Sequence, residues 1–404
     1  MNAATGRAAL DVFIVAGEES GDQLGAHLMD ALVSERAAPV AFRGVAGPRM
    51  TARGLASQFP MVEIALLGIT SIIVHIPRVL RRIRETVAAI LADPPDVLVL
   101  IDAPGFNRRV ARQVRKLRPE IPIVFYVSPT VWAWRPGRAA EMRPYIDHLL
   151  ALLPFEPEVH RRLGGPPTTY VGHPISERLA EIRPGPEEAR RRTEAPPQVL
   201  VLPGSRRNEI TRLSPLYAGV LARVEAEHGP IDWLLPAVAQ HRDLIVREIA
   251  SWPVKPRIVD GEAAKFAAFR SAHAALACSG TVTLELAVAG VPQVVAYRGG
   301  WLEAQIVRRL ITVDTAVLAN LVVGEKVVPE FLQEYGTVDA VATALSAILV
   351  EGPARERQIA AFARIDGIMD FAGIAPSIKA ARIVLDCLRE SVPPEKERGA
   401  EAPR

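Results

Sequence analysis

Cysteine is scarce in this chain, and the two cysteines present form no recognisable site. Cys278 and Cys387 lie far apart, form no Cys-x-x-Cys motif and have no histidine at ligand spacing. This pattern excludes a disulfide framework and a zinc site. We expect both to be small apolar residues of the core.

Motifs that bind metals through carboxylates are absent too. The chain contains no Asp-x-Asp, and no cluster of histidines or carboxylates has metal-ligand spacing. A nucleotide held through a metal ion is therefore not expected, and we predict neither a metal nor a cofactor.

Long apolar runs are also missing. The longest near-apolar stretch, residues 66–77, contains Thr70, Ser71 and His75 and is too short to span a bilayer. Residues 1–9 lack the apolar segment of a signal peptide. A cytoplasmic location is therefore expected.

The composition is that of a globular protein, because 49% of the 404 residues are hydrophobic and 23% are charged. This length suits two to three domains. The net charge of +3 is small, although arginines are concentrated in residues 78–84 and 108–118. No RNP, zinc-finger or helix-turn-helix pattern accompanies them, so no nucleic-acid partner is expected.

Short apolar strands alternate with helix-length segments twice along the chain, which predicts an α/β fold with two Rossmann-like parallel-sheet domains. The first half has predicted strands at 10–16, 97–102, 121–127 and 147–152, and helices starting near Asp22, Asn107 and Glu156. The second half has predicted strands near 198–202, 232–236, 273–278 and 292–297, and helices near 209–226, 240–250, 281–289 and 301–310. Ligands of such sheets bind at the carboxyl ends of strands, so the two domains are expected to face a cleft.

A proline-rich and charged segment, 183–198, marks the predicted domain boundary. The N-terminal domain is predicted over 10–182 and the C-terminal domain over 198–350. Helices over 351–390 should pack back on an N-terminal domain, since the helix at 376–389 has one apolar face. The tail, 391–404, is predicted to be disordered.

Ser279, Gly280 and Thr281 follow a β-prone run and open a helix that carries Glu285 one turn on. Glycine lets backbone approach a ligand, and the amides and dipole of a helix start attract phosphate. Thr281 and Glu285 share a helix face, so a nucleotide could place its phosphates on the amides and its ribose on Glu285. The alternative is an ordinary capped helix behind a buried strand.

A second glycine-rich turn joins the first strand to the first helix. Its glycines, Gly17, Gly21 and Gly25, do not have the GxGxxG spacing, and no P-loop lysine follows. The turn could bind an anion or a sugar hydroxyl. Alternatively, it is a tight turn in which Ser20 or Asp22 caps the helix.

Asp102 is at the carboxyl end of a buried strand, which Pro104 prevents from continuing. A carboxylate there could take the proton of an attacking hydroxyl, which typically contributes roughly 10²- to 10⁴-fold in rate. The alternatives are a cap for the helix at Asn107 or an ion pair with an arginine.

Arg206 follows the first strand of the second half and precedes a helix. Its guanidinium could bind two oxygens of a diphosphate and offset the charge of a leaving nucleoside diphosphate. A plain solvated arginine is the alternative, although a helix dipole disfavours a cation at that end.

Trp132 and Trp134 stand two positions apart, so in an extended segment both would point the same way. They could stack on a sugar or a base. They could equally fasten the loop to the core.

Ile69, Ile72, Ile73 and Ile76 follow near-helical spacing, which Pro77 is expected to break, with a second helix starting at Pro77. Arg78, Arg81 and Arg82 lie on the polar side of that second piece. An apolar face beside arginines suits an anionic membrane surface or an acylated substrate. The alternative is a helix packed on the sheet.

Nine segments in a fixed order make a more specific pattern than any one of them alone. They are AGEESGDQLGA (16–26), GVAGPRM (44–50), IDAPGFN (101–107), YVSPTVWAWRPGR (126–138), LPFEP (153–157), VGHP (171–174), LPGSRRNEI (202–210), SGTVTLE (279–285) and VVPEFLQE (327–334). Together they resemble the lipid-A-disaccharide synthases, GT-B-type glycosyltransferases of family 19. The resemblance covers residues 10–388.

The resemblance implies a metal-independent hexosyltransferase of lipid A biosynthesis. Its donor would be UDP-2,3-diacylglucosamine, and its acceptor the 6-hydroxyl of 2,3-diacylglucosamine 1-phosphate. The products would be UDP and a β-1,6-linked tetraacyl disaccharide 1-phosphate. Because the donor is α-linked, the transfer inverts, and one base suffices. Peripheral attachment to the cytoplasmic face of the inner membrane is implied, as is a homodimer that exchanges C-terminal segments.

The resemblance also assigns roles to residues. Asp102 matches the family's essential aspartate and is the candidate base, with Glu18 as a second catalytic carboxylate. The second half would bind the UDP-sugar through Arg206, Ser205, Ser279, Gly280, Thr281, Glu285 and Asn320. The first half would bind the acceptor through Gly17, Ser20, Gly21, Asp22, Trp132, Trp134 and Arg135.

The chain departs from the family pattern at four places. Gly105 stands where the family usually has an aspartate, which strengthens the case for Asp102. Leu67 and Ser71 alter the usual MGIxEVL segment, which bears on acyl-chain contacts. Ala319 replaces the proline of the usual LPN, with Asn320 kept.

Other functions fit parts of the pattern. A UDP-sugar epimerase or a cell-wall glycosyltransferase would share the fold, but the apolar, arginine-edged stretch 66–84 favours an acylated acceptor. A noncatalytic nucleotide-binding protein of the membrane surface would leave Asp102 and Glu18 without a role.

Overall fold

Two parallel β-sheets, each covered by helices, organise the chain. The structure, a computed structural model, describes residues 9–65, 72–299 and 313–390. It divides into unit 1, Met1–Pro174 with Ile374–Arg404, and unit 2, Ile175–Gly373. The predicted α/β class with two parallel-sheet domains is confirmed.

Unit 1 is built on a seven-stranded sheet of order β3-β2-β1-β4-β5-β6-β7. Its strands are β1 Leu10–Ala16, β2 Val40–Val45, β3 Ala56–Ser57, β4 Val97–Ile101, β5 Ile123–Tyr126, β6 His148–Ala151 and β7 Thr168–Tyr170. All residues of β1, β4 and β5 are buried, because helices cover both faces of a parallel sheet.

Eight α-helices of unit 1 lie within the described residues. They are α1 Glu19–Glu35, α2 Pro48–Thr51, α3 Val62–Ala65, α4 Ile72–Ala92, α5 Pro104–Leu117, α6 Arg138–Met142, α7 Glu156–Arg162 and, from the C-terminal segment, the helix Pro376–Glu390. One sheet face packs on α1 and the C-terminal helix, through residues such as Leu28, Ala381 and Val384. The other face packs on α4 and α5, through residues such as Ile83 and Val110.

Unit 2 contains a six-stranded parallel sheet of order β10-β9-β8-β11-β12-β13. Its strands are β8 Gln198–Leu202, β9 Asp232–Ala237, β10 Arg257–Asp260, β11 Ala274–Cys278, β12 Gln293–Tyr297 and β13 Glu330–Leu332. One large apolar core joins the sheet to its helices, with Tyr217 and Val220 fully buried.

The helices of unit 2 follow in chain order. They are α8 Leu179–Ile182, α9 Pro186–Arg191, α10 Arg207–His228, α11 Arg242–Ile249, α12 Glu262–Ser271, α13 Val282–Val288, α14 Leu318–Val323, α15 Val338–Leu349, α16 Pro353–Phe362 and α17 Ile365–Ile368. The C-terminal helix Pro376–Glu390 is accordingly α18. Short 3₁₀ helices lie at Pro174–Arg178, Ala239–His241 and Gln333–Tyr335.

The division of the chain differs from the predicted limits. Unit 2 begins at Ile175, so the segment 183–198 lies inside it, where α9 packs on α12. Of the helices in 351–390, α16 and α17 belong to unit 2, and only α18 returns to unit 1. Proline and charge in 183–198 therefore mark a surface segment rather than the border between the units.

The helix α4 corrects one local prediction. It is a single helix that continues through Pro77, although a proline inside a helix removes one backbone hydrogen bond and crowds the preceding turn. Val79, Ile83 and Val87 are buried against the sheet, so this part of the helix faces the core. Ile69, Leu67 and Ser71 lie outside the described residues, as do the helix predicted at 301–310 and the tail 391–404.

Both cysteines are free and buried, as predicted. Burial raises the pKa of the Cys278 thiol to about 12, which keeps it protonated and unreactive.

Candidate active site

The candidate residues lie where the strand order of each sheet reverses. In unit 1, β1 and β4 are neighbours, so the turn after Ala16 lies beside the turn that contains Asp102. In unit 2, β8 and β11 are neighbours, so the segment ending at Arg206 lies beside the turn at Ser279. Ligands of open parallel sheets bind at such switch points.

Asp102 lies in a strained turn at the end of β4. Asp102 and Ala103 both have left-handed backbones, with φ of 51° and 43°. This conformation costs residues other than glycine of order 1–3 kcal/mol each and is concentrated at functional sites. The turn fits only because Gly17 has no side chain, since a Cβ there would lie 2.3 Å from the Cβ of Ala103.

Asn107 stabilises this turn through side-chain hydrogen bonds. Its amide nitrogen donates to the carbonyl oxygens of Asp102 at 2.8 Å and Ile101 at 3.1 Å. The side chain is fully buried on α5, which begins at Pro104 rather than at Asn107. Asp102 therefore does not cap a helix starting at Asn107, and the helix instead fixes the backbone of Asp102.

The environment of Asp102 makes its carboxylate more basic. Its pKa is raised to about 6, mainly by burial and then by the negative charge of Glu18, against the opposing hydrogen bond from the Ala103 amide. Glu18 is exposed and precedes α1. A carboxylate with this pKa is largely ionised at neutral pH and is a stronger base than an ordinary aspartate.

In the glycine-rich turn, the structure excludes the alternative in which Ser20 or Asp22 caps the helix. Glu18 is the N-cap residue of α1, so Ser20 and Asp22 lie inside the helix and do not cap it. Asp22 is buried, and its carboxylate accepts the amides of Gly47, Arg49 and Met50 at the start of α2. Those contacts use its acceptor atoms and favour a structural role.

Gly21 is buried against Ile101, and Ser20 is exposed. Ser20 therefore keeps a position from which it could contact a ligand, whereas Gly21 contributes packing.

The two tryptophans have different environments, because residues 131–133 form a turn rather than an extended strand. Trp132 donates from its indole nitrogen to Glu156 at 3.1 Å and packs edge-on against Phe155. It therefore fastens the loop to the core. Trp134 instead packs with the guanidiniums of Arg135 and Arg138, whose Cζ atoms lie 4.5 and 5.5 Å from the ring centroid.

Glu156 anchors the tryptophan loop from α7. Besides Trp132, it accepts the amides of Leu152 at 3.1 Å and Leu153 at 3.0 Å. Burial raises its pKa to about 7 despite these bonds. Ser128 of the same loop bonds to His160, whose pKa burial lowers to about 4.

Among the predicted membrane-facing residues, Arg82 is engaged within unit 1. Its guanidinium binds Glu63 at 2.8 Å and Glu85 at 2.6 Å and stacks on Phe59. Those hydrogen bonds, first of all with Glu63, raise the pKa of Arg82. Arg78 and Arg81 are exposed. The side chains of Ile72, Ile73 and Ile76 are outside the described set.

In unit 2, Glu209 occupies the helix start that follows β8. Its carboxylate accepts the amides of Ser205 at 3.1 Å and Arg206 at 3.2 Å, so these amides are not open to a phosphate. Glu209 also binds the guanidinium of Arg206 at 2.9 Å. That guanidinium is nevertheless 80% exposed and can reach a ligand.

The turn at Ser279 faces open space. Nothing lies within 4 Å of the position that a Cβ of Gly280 would take, and Thr281 is exposed. Ser279 donates its hydroxyl to the carbonyl of Ala316 at 2.8 Å. The helix α13 has only seven residues, so its dipole is smaller than that of the helix predicted over 281–289.

Glu285 has a partner that the sequence did not reveal. The ammonium of Lys265, from α12, donates to Oε2 of Glu285 at 2.6 Å. The same ammonium lies 5.0 Å from the ring centroid of Phe266. One carboxylate oxygen is thereby held, and within the described residues no donor reaches Oε1.

Asn320 is buried inside α14, and both ends of its amide are used. Its oxygen accepts the amides of Val327 and Val328, and its nitrogen donates to Thr315 and the carbonyl of Val328. This geometry favours an indirect role through the loop at 327–328. A direct contact with UDP remains a prediction.

Three residues that shape the candidate site are not predicted by the sequence. Glu209 could have been found, because a glutamate three residues after a helix cap is the signature of a capping box. The only sequence signal for Asn107 was its place at the end of the segment IDAPGFN (101–107). Lys265 gave none, since twenty positions separate it from its partner Glu285.

Comparison with known proteins decides the family. The family model of lipid-A-disaccharide synthetase matches residues 12–370. The chain belongs to this family. It is 52% identical over 389 residues to a lipid-A-disaccharide synthase of Rhodopseudomonas palustris (strain HaA2), covering 96% of this chain and 99% of that protein. The predicted resemblance is confirmed, as is a glycosyltransferase of lipid A biosynthesis at the level of the family.

Solved structures support the fold. A UDP-GlcNAc 2-epimerase from Neisseria meningitidis bound to UDP-GlcNAc superposes with a TM-score of 0.60 at 11% identity, covering 95% of this chain and 99% of that one. MurG from Acinetobacter baumannii superposes with a TM-score of 0.52 at 12% identity, over 95% and 99% of the two chains. At these identities the likeness concerns the fold alone.

Among the described residues, no group of three or more histidines, cysteines or carboxylates is placed to hold a metal ion. None of the helices in the described ranges is long and apolar enough to cross a membrane.

Proposed function

We propose that this member of the family transfers 2,3-diacylglucosamine from UDP to the 6-hydroxyl of 2,3-diacylglucosamine 1-phosphate, with inversion and without a metal ion. Asp102 takes the hydroxyl proton as that oxygen attacks the anomeric carbon, and UDP leaves with the bonding electron pair. The observation that carries this proposal is the Asp102 carboxylate, held in a strained turn with its pKa raised to about 6. Strain and a raised pKa at one carboxylate are expected of a catalytic base.

Unit 2 supplies the donor site in this proposal. Arg206 offsets the charge of the leaving diphosphate, and its exposed guanidinium supports that role. The open turn at Gly280 lets the diphosphate approach the backbone. Glu285 accepts the ribose hydroxyls through the oxygen that Lys265 leaves unbound.

We also propose peripheral attachment to the cytoplasmic face of the inner membrane. Arg78, Arg81 and Leu80 are exposed on α4, next to the apolar stretch that precedes it. Basic residues near an anionic surface contribute about 1 kcal/mol each. Dimerisation by exchange of the C-terminal helix remains a prediction. In the structure, α18 packs on α1 of its own chain.

Incubation of the protein with both acylated substrates and EDTA tests the reaction, with UDP and a tetraacyl disaccharide 1-phosphate as the expected products. Asp102→Asn should lower turnover at least roughly 10²-fold and leave UDP affinity within a few-fold. Near-normal turnover of that variant would remove Asp102 as the base.

The donor site is tested separately by calorimetry with UDP. Arg206→Ala should weaken UDP binding about tenfold or more, because a charge-assisted contact is lost. Its neighbour Arg207, which is exposed, provides the matched control Arg207→Ala. Equal effects of the two variants would count against the diphosphate assignment.

A further inference from the structure

Three arginines of unit 1 form a cluster, in which the family resemblance gives a role in acceptor binding to Arg135 but none to Arg108 or Arg138. Arg135 and Arg138 both pack over the ring of Trp134. Arg108 reaches the same region from α5, where its Nε donates to the hydroxyl of Tyr145 at 3.0 Å. We call Arg108, Arg135 and Arg138 with Trp134 the arginine cluster.

Too little negative charge compensates this cluster. Arg108 binds Glu141 at 2.6 Å. Among the described residues, Arg135 and Arg138 form no ion pair of their own, so three guanidiniums share essentially one carboxylate. Burial, followed by the charges of Arg135 and Arg108, lowers the pKa of Arg138. Like charges held this close are costly unless an anion is bound among them.

The backbone maintains the arrangement at some cost. Arg135 has a left-handed backbone, with φ of 51°, although it is not a glycine. Trp134 holds the guanidinium of Arg135 by stacking, and the loop itself is fastened to the core through Trp132 and Glu156. Strained residues that the surrounding structure fixes in place are typical of ligand sites.

The cluster adjoins the proposed base within the same sheet. The loop that carries it follows β5, and β5 pairs with β4 so that Tyr126 lies opposite Ile101. The carbonyl of Tyr126 accepts the amide of Asp102 at 2.9 Å. Arg108 lies on α5, which starts two residues after Asp102. The loop that carries the cluster and the helix that carries Arg108 therefore both start at the edge of the sheet where Asp102 lies.

We infer that the arginine cluster binds the phosphate monoester of the acceptor, with Arg138 and Arg135 as its main contacts. A phosphate monoester carries close to two negative charges, and planar guanidinium groups bind its oxygens in pairs. This inference rests on the proposed function, because it assigns the 1-phosphate of the proposed acceptor. An anionic lipid headgroup offers the same chemistry and is the alternative source of the phosphate.

The test compares acceptors with and without the phosphate. We would measure kcat/KM with 2,3-diacylglucosamine 1-phosphate and with 2,3-diacylglucosamine, for the wild type, Arg138→Gln and Arg135→Gln. Each variant should lose about 10- to 100-fold with the phosphorylated acceptor and stay within about twofold with the other. Arg138→Lys, which keeps the charge, should recover part of the loss.

Arg118→Gln is the matched control, since Arg118 follows the far end of α5 and pairs with Glu120. It should behave as the wild type with both acceptors. Equal losses with both acceptors in Arg138→Gln would mean that Arg138 only supports the loop, and would overturn the inference. So would a wild type that does not distinguish the two acceptors.

Binding measurements separate this inference from the proposed reaction. Glucosamine 1-phosphate, followed by ³¹P NMR, should bind the wild type and bind Arg138→Gln at least roughly tenfold more weakly. The wild type could fail to form the disaccharide and still bind glucosamine 1-phosphate more tightly than Arg138→Gln does. That result would refute the proposed reaction but support the phosphate site. Absence of the difference would refute the site.

Vesicles of phosphatidylcholine with phosphatidic acid test the other source of phosphate. We expect Arg138→Gln to bind them as the wild type does. Loss of vesicle binding with an unchanged preference for the phosphorylated acceptor would assign the cluster to the membrane and overturn the inference.

Discussion

A single backbone feature explains the chemistry proposed for Asp102. The turn that carries it is strained, needs the absent side chain of Gly17 and is fastened by Asn107. A side chain held by its backbone in this way loses little freedom when substrate arrives, so its geometry is ready for proton transfer.

The charge of Glu18 should contribute, after burial, to the pH dependence of catalysis. Asp102 must be ionised to act, so kcat/KM should fall below a pH near 6, the value to which burial and Glu18 raise the pKa of Asp102. Glu18→Gln removes the like charge, so the acidic limb of the profile should move to lower pH by up to about one unit.

The matched control for this change is Glu19→Gln, since Glu19 is the next residue and is also exposed. The limb should stay in place for Glu19→Gln. A limb that moves in neither variant, or moves equally in both, would show that Glu18 does not tune the base.

Lys265 should act on nucleotide affinity through Glu285. Lys265→Met removes the ammonium that holds one carboxylate oxygen, so UDP binding should weaken about three- to tenfold. The loss should largely disappear for 2′-deoxy-UDP, which lacks one of the hydroxyls that Glu285 is proposed to accept. Calorimetry with both ligands measures it.

An exposed lysine of the same unit, Lys255, provides the control variant Lys255→Met. If Lys265→Met weakened the binding of UDP and of 2′-deoxy-UDP equally, Lys265 would affect the whole nucleotide site and not the ribose contact alone.

At the level of the element, the loop after β5 depends on buried ionisable groups of α7. Glu156 receives the indole of Trp132 and two amides, and Ser128 bonds to His160. The loop that presents the arginine cluster is thus anchored to α7 by hydrogen bonds of buried side chains.

Glu156 should make unit 1 less stable as the pH rises. Its pKa is about 7 in the folded chain against an ordinary 4.5, so the folded state holds the proton longer and stability falls between these values. Between pH 4.5 and 8, the free energy of unfolding of the wild type should fall by roughly 2 to 4 kcal/mol relative to that of Glu156→Gln. Urea unfolding across this range measures it.

His160 acts in the opposite direction, because its lowered pKa makes stability rise with pH between about 4 and 6.5. The comparison of the wild type with Glu156→Gln cancels this effect, since both contain His160. A difference between them that does not change with pH would show that Glu156 is ionised at no extra cost.

The buried apolar strands could be predicted from the sequence, whereas strands with polar or exposed residues such as β2 and β10 could not. The runs that became β1, β4 and β11 are apolar throughout because both faces are covered. By contrast, β2 contains Arg43 and Gly44, and β10 is half-exposed, so neither has a clear apolar pattern.

For the candidate site, the sequence allowed prediction of which residue types take part and of the strand ends at which they lie. Asp102, Arg206 and Glu285 could be selected by chemistry. Their partners could not, because Lys265 and Glu285 meet only through tertiary packing and the left-handed backbone at Ala103 runs against residue preference.

In the whole molecule, α18 is a structural part of unit 1. Ala380, Ala381 and Val384 are fully buried in its core, and Arg382 binds Glu35 of α1 at 2.6 Å. Deletion of 374–404 should therefore destabilise unit 1 by on the order of 5 kcal/mol through lost apolar burial, and leave unit 2 unchanged.

Hydrogen exchange followed by mass spectrometry distinguishes the units. Peptides of α1 and β4 should exchange faster in the deletion variant, and peptides of β8 to β12 should not. Deletion of 391–404 alone is the control and should change neither set. Unaltered exchange in α1 after the longer deletion would contradict the assigned packing.

The return of α18 to unit 1 sets an order of events during synthesis. The last helix leaves the ribosome about 200 residues after the rest of its unit, which takes roughly 10 to 40 s at ordinary rates of translation. During that interval, the face of α1 that α18 covers is exposed and apolar. A neighbouring nascent chain can offer the same helix, so the choice between self-closure and exchange between copies becomes a matter of timing and local concentration.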